Sequence, residues 1–352
     1  MTPKAVPKHA GPRDHQPNLS ISIQFEVDGN VVAFADRQRL SFPQLSQITT
    51  YPHWSTTNFG NDIEGITHQQ TPALANAPWW AAQGGWILSR TEFSSGRSAY
   101  GVVGFVGFQF DLFSVAPDRY EFKEPQVWQD HGFHHFGDIQ YDPQTARLYI
   151  SINDRDNTRA GIGILDASRA GWTANSSDVI DLGAVTFTEQ LNTECAWAAY
   201  NGKNGVFYTT NGSAARVLHR HTLSFAQPGK PTESPLDDLP FINADSTLSP
   251  TSNIQGGKAS SHGKLWIYAK PDEDPGHTAL IGVDPYSGIV HVKIRITLGD
   301  SSEEAEGLDI TEAPTGSPGI GGQIHVQDLQ NRSLSNDAWN LLNFQASDLG
   351  RL

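Results

Sequence analysis

Four acidic side chains and one amide recur in the same short setting along this chain. Glu64 stands in "NDIEGITH" (61–68), Asp138 in "HFGDIQYD" (135–142), Glu194 in "TECAWAAYN" (193–201), Gln255 in "SNIQGGKAS" (252–260) and Glu306 in "EAEGLDIT" (304–311). Aligned on the glycine and the apolar residue after it, Glu64, Gly137, Glu194, Gln255 and Glu306 form one column, with Asp138 one position later. On a shared axis, four carboxylates would converge. Carboxylates a few ångströms apart raise one another's pKa and need a cation or a basic side chain between them. Hard oxygen donors with a single cysteine in the whole chain, Cys195, suit calcium better than zinc or copper. The alternative is that these acids cap turns, accept from backbone amides, or pair with Arg90, Arg147 or Lys258.

Histidine adds a possible base. His68 ends the first phrase, His134 precedes and His135 opens the second, His262 follows the fourth, and His325 stands in the strand after the fifth. A neutral imidazole beside a metal-bound water can take a proton at physiological pH. His134, His135 and His68 are therefore the candidate catalytic residues, and "HGFHHFGD" is the cluster nearest a predicted inner strand. With 13 histidines in the chain, packing or surface placement is the competing reading for each. Trp54, in the loop-like "YPHWSTTNFG", and His325 are the candidate substrate contacts. Trp79, Trp80, Trp128 and Trp197 either floor a channel mouth or fill the space between sheets. No "GxSxG", "HExxH" or P-loop motif is present.

The elements that must position these residues are strands. From residue 20 onward, short β-branched and aromatic runs such as "ISIQFEV", "ARLYISI", "GVFYTT", "KLWIYA" and "VHVKIRI" alternate with Gly, Pro, Asn and Asp turns. No long stretch keeps a helical period. Each phrase precedes the second strand of a hairpin, and Glu64, Asp138, Glu194, Gln255 and Glu306 stand 74, 56, 61 and 51 residues apart. That spacing fits four-stranded antiparallel blades around a central channel. From Glu306 around to Glu64 about 90 residues remain, with the first 18 left out. They hold one blade plus a composite blade closed by strands from both ends, or one blade with long loops. The expectation is an all-β propeller of six blades, with five as the close alternative and a β-sandwich as the competing all-β fold. Residues 1–18 read as a disordered or docking tail, and 19–352 as a single propeller domain.

Lys plus Arg total 24 against 38 for Asp plus Glu, a formal charge of -14 that opposes binding to phosphate backbones or anionic lipid. One cysteine excludes an internal disulfide framework. No run of about 18 apolar residues could span a bilayer, and the first 20 residues lack the apolar core of a secretory signal. The expected partner is a small molecule or carbohydrate, not nucleic acid or membrane. Low sulfur with abundant Asn, Ser, Thr and Gly leans towards a secreted or periplasmic setting.

The phrases "DIEGI", "GDIQYDPQTARLYIS", "ECAW", "NIQGG" and "EAEGL" resemble the inner strands of the six-bladed propellers typified by paraoxonases, gluconolactonases and senescence-marker proteins, over roughly residues 55–330. The resemblance implies a central calcium held by Glu64, Glu194, Gln255 and Glu306. It further implies that calcium polarises a lactone or ester carbonyl while His134 or His135 serves as base. Gly137 and Gln255 depart from the family pattern, which usually has an acid or amide at the first position and Asn or Asp at the second. The competing readings are a metal-free lyase or cyclase on a natural product or sugar, and a lectin-like binding propeller.

Overall fold

The structure is a computed structural model and describes residues 4–9, 19–27, 30–33, 45–55, 63–69, 85–91, 99–103, 119–154, 158–168, 179–187, 197–211, 215–227, 229–243, 251–271, 277–296, 303–310, 324–330 and 338–346. The chain divides into two units, Met1–Phe42 and Pro43–Gly350. In the first, β1 (Lys4–His9), β2 (Leu19–Val27) and β3 (Asn30–Ala33) form an antiparallel sheet in that order. The segment expected as a tail thus contains β1.

The second unit opens with β4 (Leu45–Ser55) and continues with sheets that meander in chain order. One holds β5 (Ile63–Gln69), β6 (Gly85–Arg90), β7 (Ala99–Val103) and β8 (Arg119–Lys123). After the short helix α1 (Gln126–Asp130) comes a sheet of β9 (Phe133–Asp142), β10 (Arg147–Asp154), β11 (Ala160–Asp166) and β12 (Ile180–Thr186). The next is built from β13 (Ala199–Asn201), β14 (Val206–Thr209), β15 (Val217–Ser224) and β16 (Thr232–Pro240). β17 (Ile242–Asn243) adds in parallel to the far edge of β18 (Thr251–Ala259), β19 (Leu265–Pro271), β20 (Thr278–Val283) and β21 (Ile289–Ile296). Finally β22 (Glu303–Ile310), β23 (Ile324–Gln330) and β24 (Ala338–Ala346) are completed by β4, antiparallel to β24.

The first strands β5, β9, β13, β18 and β22 pack on one another in succession, and β22 returns to β5. The sheets therefore stand radially around an axis, which is a β-propeller. Among the described residues the ring closes with five sheets, the alternative count and not the preferred six. Part of the surplus chain taken as a sixth blade belongs to the first unit. Another part, β4, completes the fifth sheet as the composite closure that the sequence allowed.

Packing between blades explains why the middle strands are apolar on both faces. On β10, Leu148, Ile150 and Ile152 join Phe133, Phe136, Ile139 and Ile87 in one cluster. Tyr149 faces the other way, into a cluster with Ile162, Ile164, Ala198 and Phe207. A strand between two neighbours loses the inside-outside alternation of a solvated sheet and reads as a continuous apolar run. Leu148, Ile150 and Ile152 are fully buried, and each contributes about 1.5–3 kcal/mol from leaving water. Trp197, Tyr208, Leu265, Ile267 and Ile281 form the equivalent core between the next two sheets. Trp128 and Trp197 are thus wholly buried wedges and not a ligand floor. Trp128 donates from Nε1 to Asp181 Oδ1 at 3.0 Å and meets Phe136 edge-on. Among the described residues no helix is long and apolar enough to cross a membrane.

Candidate active site at the propeller axis

Four inner strands leave register with their neighbours at the column read from the sequence. On β5, Ile63 pairs with Arg90 and Gly65 with Ser89, so Glu64 has no counterpart. On β22, Ala305 pairs with Asp328 and Gly307 with Gln327, which sets Glu306 apart. On β9, Gly137 and Asp138 together face the single residue Ser151, between the pairs Phe136–Ile152 and Ile139–Ile150. On β18, Asn253 to Gln255 stand between the pairs Ser252–Lys270 and Gly256–Tyr268. A β-bulge frees one residue from the ladder and re-aims its side chain. The bulge on β9 spans two residues, which accounts for the one-place offset of Asp138.

The glycines beside the bulges let the strands close on the axis. A Cβ on Gly65 would stand 2.5 Å from Asp138 Cα, one on Gly307 2.7 Å from Ile66 N, and one on Gly256 2.9 Å from Leu308 N. Asp138, 4% exposed, sits at this narrow level. Its Oδ1 accepts from Ile139 N at 2.8 Å and its Oδ2 from Gly257 N at 3.1 Å. Burial pushes its carboxyl well above the usual carboxylate value, against the opposing pull of the Gly257 amide, Lys258 and the Ile139 and Ile66 amides.

Two residues further along each strand lies a second polar tier, Thr67, Gln140, Lys258 and Asp309, on the face set by the two-residue period of a strand. Lys258 Nζ lies 2.8 Å from Asp309 Oδ1 and donates to Thr67 Oγ1 at 3.1 Å. Thr67 Oγ1 donates to Asp309 Oδ1 at 3.2 Å and accepts from Tyr141 N at 3.0 Å. Gln140 Nε2 donates to Tyr200 O at 2.9 Å, and its Oε1 accepts from Tyr200 N at 2.7 Å. Side chains thus tie neighbouring inner strands where no backbone ladder runs. These contacts rise in number together along β5, β9, β18 and β22, so those strands run the same way and the axis has an entering and a leaving mouth.

Towards the entering mouth, Glu64 Oε1 lies 3.4 Å from His135 Nε2, both side chains mostly buried. His134 and Gln255 are half-buried, and Glu306 is 3% exposed. Beyond the second tier, at the leaving mouth, is a cavity of about 200 Å³ lined by Gln140, Tyr200, Lys203, Lys258, Ser261 and Asp309 among others.

The remaining expected residues fall elsewhere. His325 is fully buried on β23, opposite Asp309 in register. Trp54 lies on β4, the outermost strand of its sheet, and His68 on β5; their side chains, and Glu194 altogether, lie outside the described residues. Lys258 was foreseen only as a counter-ion. Thr67 and Asp309 were missed, although the two-residue period from Gly65 and Gly307 points to both.

Among the described residues no group of three or more His, Cys, Asp or Glu is arranged to hold a metal ion. Both Asp138 oxygens already accept backbone amides, and Asp309 meets an ammonium. At this level of the axis a lysine supplies the positive charge.

Neither a known protein family nor a curated protein matches the sequence. Among solved structures the chain is similar to a GH43_1 enzyme from Xanthomonas citri complexed with xylose, at a TM-score of 0.48 and 7% identity, over 85% of this chain and 89% of that one. It is also similar to a putative 6-phosphogluconolactonase from Bacteroides uniformis, at 0.35 and 11% identity, over 74% and 81%. The β-propeller domain of Myceliophteria thermophila Cps50 (Swd1) gives 0.34 and 9% identity, over 73% and 67%.

Proposed function

We propose that the chain is a propeller enzyme that hydrolyses a small polar substrate, a lactone or a related ester, at the entering mouth of its axis. The observation that carries this reading is the Glu64–His135 pair, a carboxylate on a bulge held beside an imidazole of the next inner strand. Glu64 Oε1, 3.4 Å from Nε2, favours the tautomer protonated there, whose Nδ1 carries the lone pair. Nδ1 takes a proton from water as the water oxygen adds to the carbonyl carbon. The ring C–O bond then breaks, and the alkoxide leaving group takes the proton back from the imidazolium. The lactone class comes from the resemblance of the inner-strand phrases to the paraoxonase and gluconolactonase type.

The test is turnover of the full chain on a panel of lactones, esters and glycosides in water enriched in oxygen-18, with and without EDTA. Hydrolysis places the label in the product, whereas a lyase or cyclase using the same pair leaves it out. His135→Ala is expected to lower kcat by about 10²–10⁴, with EDTA without effect. Full activity in both His135→Ala and Glu64→Gln overturns the assignment, and loss of activity in EDTA restores the calcium mechanism.

A further inference from the structure

We infer that the leaving mouth of the axis is a second binding site, for a neutral polyhydroxylated molecule the size of one sugar ring, anchored by the Lys258 ammonium. Size sets the first limit. At about 200 Å³ the cavity is smaller than the roughly 300–1,000 Å³ of sites for drug-sized ligands, so it takes one small molecule.

The floor supplies an open donor. An ammonium has three N–H groups. Among the described residues Lys258 meets two acceptors, Asp309 Oδ1 and Thr67 Oγ1, and its third N–H has none, although the side chain is only 7% exposed. A buried donor without an acceptor costs free energy, and an oxygen entering the cavity that Lys258 lines removes that cost.

Charge decides the class. Lys203 and Lys258 balance Asp142 and Asp309 around the cavity, so no net charge favours an anion. Asp142 is already occupied, accepting from Gln144 N at 3.0 Å and from Thr145 Oγ1. A hydroxyl suits what remains, because it accepts from Lys258 and donates to an acid or a serine. Tyr200 adds an aromatic ring to the wall, and burial, followed by the Asp142 charge, raises its pKa, so its phenol stays a neutral donor.

The experiment is titration of the full chain with D-glucose, D-xylose and myo-inositol as neutral probes and inorganic phosphate as the anionic one, followed by saturation-transfer NMR. At least one neutral probe is expected to bind. Ser261→Trp, at the exposed rim, closes the mouth without touching the core and is expected to abolish that binding with the unfolding midpoint unchanged. Lys258→Met is expected to weaken it by about tenfold or more, the value of a hydrogen bond to a charged group. His135→Ala, at the other mouth, keeps it, which separates this site from the proposed catalytic one. Binding of phosphate alone, binding of no neutral probe, or binding that survives Ser261→Trp overturns the inference.

Discussion

Lys258→Met keeps the length of the side chain and removes its charge, so it asks directly what holds the centre of the ring. In the native protein the ammonium lies 2.8 Å from Asp309 Oδ1, with the side chains 7% and 2% exposed. At an effective dielectric of about 20, Coulomb attraction at that distance is about 6 kcal/mol. Desolvation of both ions offsets much of this, so the pair contributes little net stability compared with an apolar pair of the same shape. Removing one partner is different, because the other charge stays buried without its counter-ion. Lys258→Met is therefore expected to lower the unfolding free energy by about 3–5 kcal/mol, and Asp309→Leu by a similar amount. The double substitution leaves no ion behind and is expected to recover most of the loss, so the two effects are strongly non-additive. Urea unfolding at neutral pH, followed by circular dichroism, measures all three. Single losses under about 1 kcal/mol, or a double loss equal to their sum, would refute a buried ion pair at the axis.

Gly65→Ala sets a methyl group against the Asp138 backbone and is expected to cost about 1–3 kcal/mol by forcing two inner strands apart, read in the same urea experiment. Trp128→Ala empties the wedge beside Phe136 and leaves Asp181 Oδ1 with the Gly183 amide alone, for an expected loss of about 3–5 kcal/mol in unfolding free energy. Asp138 gives a pH signature. Its folded pKa lies above the usual 3.8, so between 3.8 and the raised value the folded protein holds a proton that the unfolded chain has lost. Its contribution to stability is therefore largest in acid and falls as pH rises through that window, and Asp138→Asn is expected to remove this slope from stability measured across pH; an unchanged slope contradicts the raised value.

The strand-rich class and the repeated first-strand phrases were legible because each is written in local order. β-Branched runs between turn residues specify strands, and Glu64 and Glu306 share the "EGI" and "EGL" setting because each bulge needs the same neighbours. Blade number was not legible. Nothing local distinguishes a strand such as "LSQITTYPHWS", which joins β24 to close the last sheet, from one that begins a sheet of its own. The partner of each carboxylate was hidden for the same reason. Lys258 and Asp309 stand 51 residues apart, and only ring closure brings them to 2.8 Å.

By itself, then, the sequence determined that the chain forms short antiparallel sheets, and that an acid followed by glycine stands on the first strands β5 and β22, because propensity and side-chain alternation act within a few residues. Tertiary structure alone decided that the five first strands meet, that backbone amides and a lysine partner Asp138 and Asp309, and that Glu64 lies beside His135. Those outcomes depend on distances across the ring, set by the packing of every blade against its neighbours.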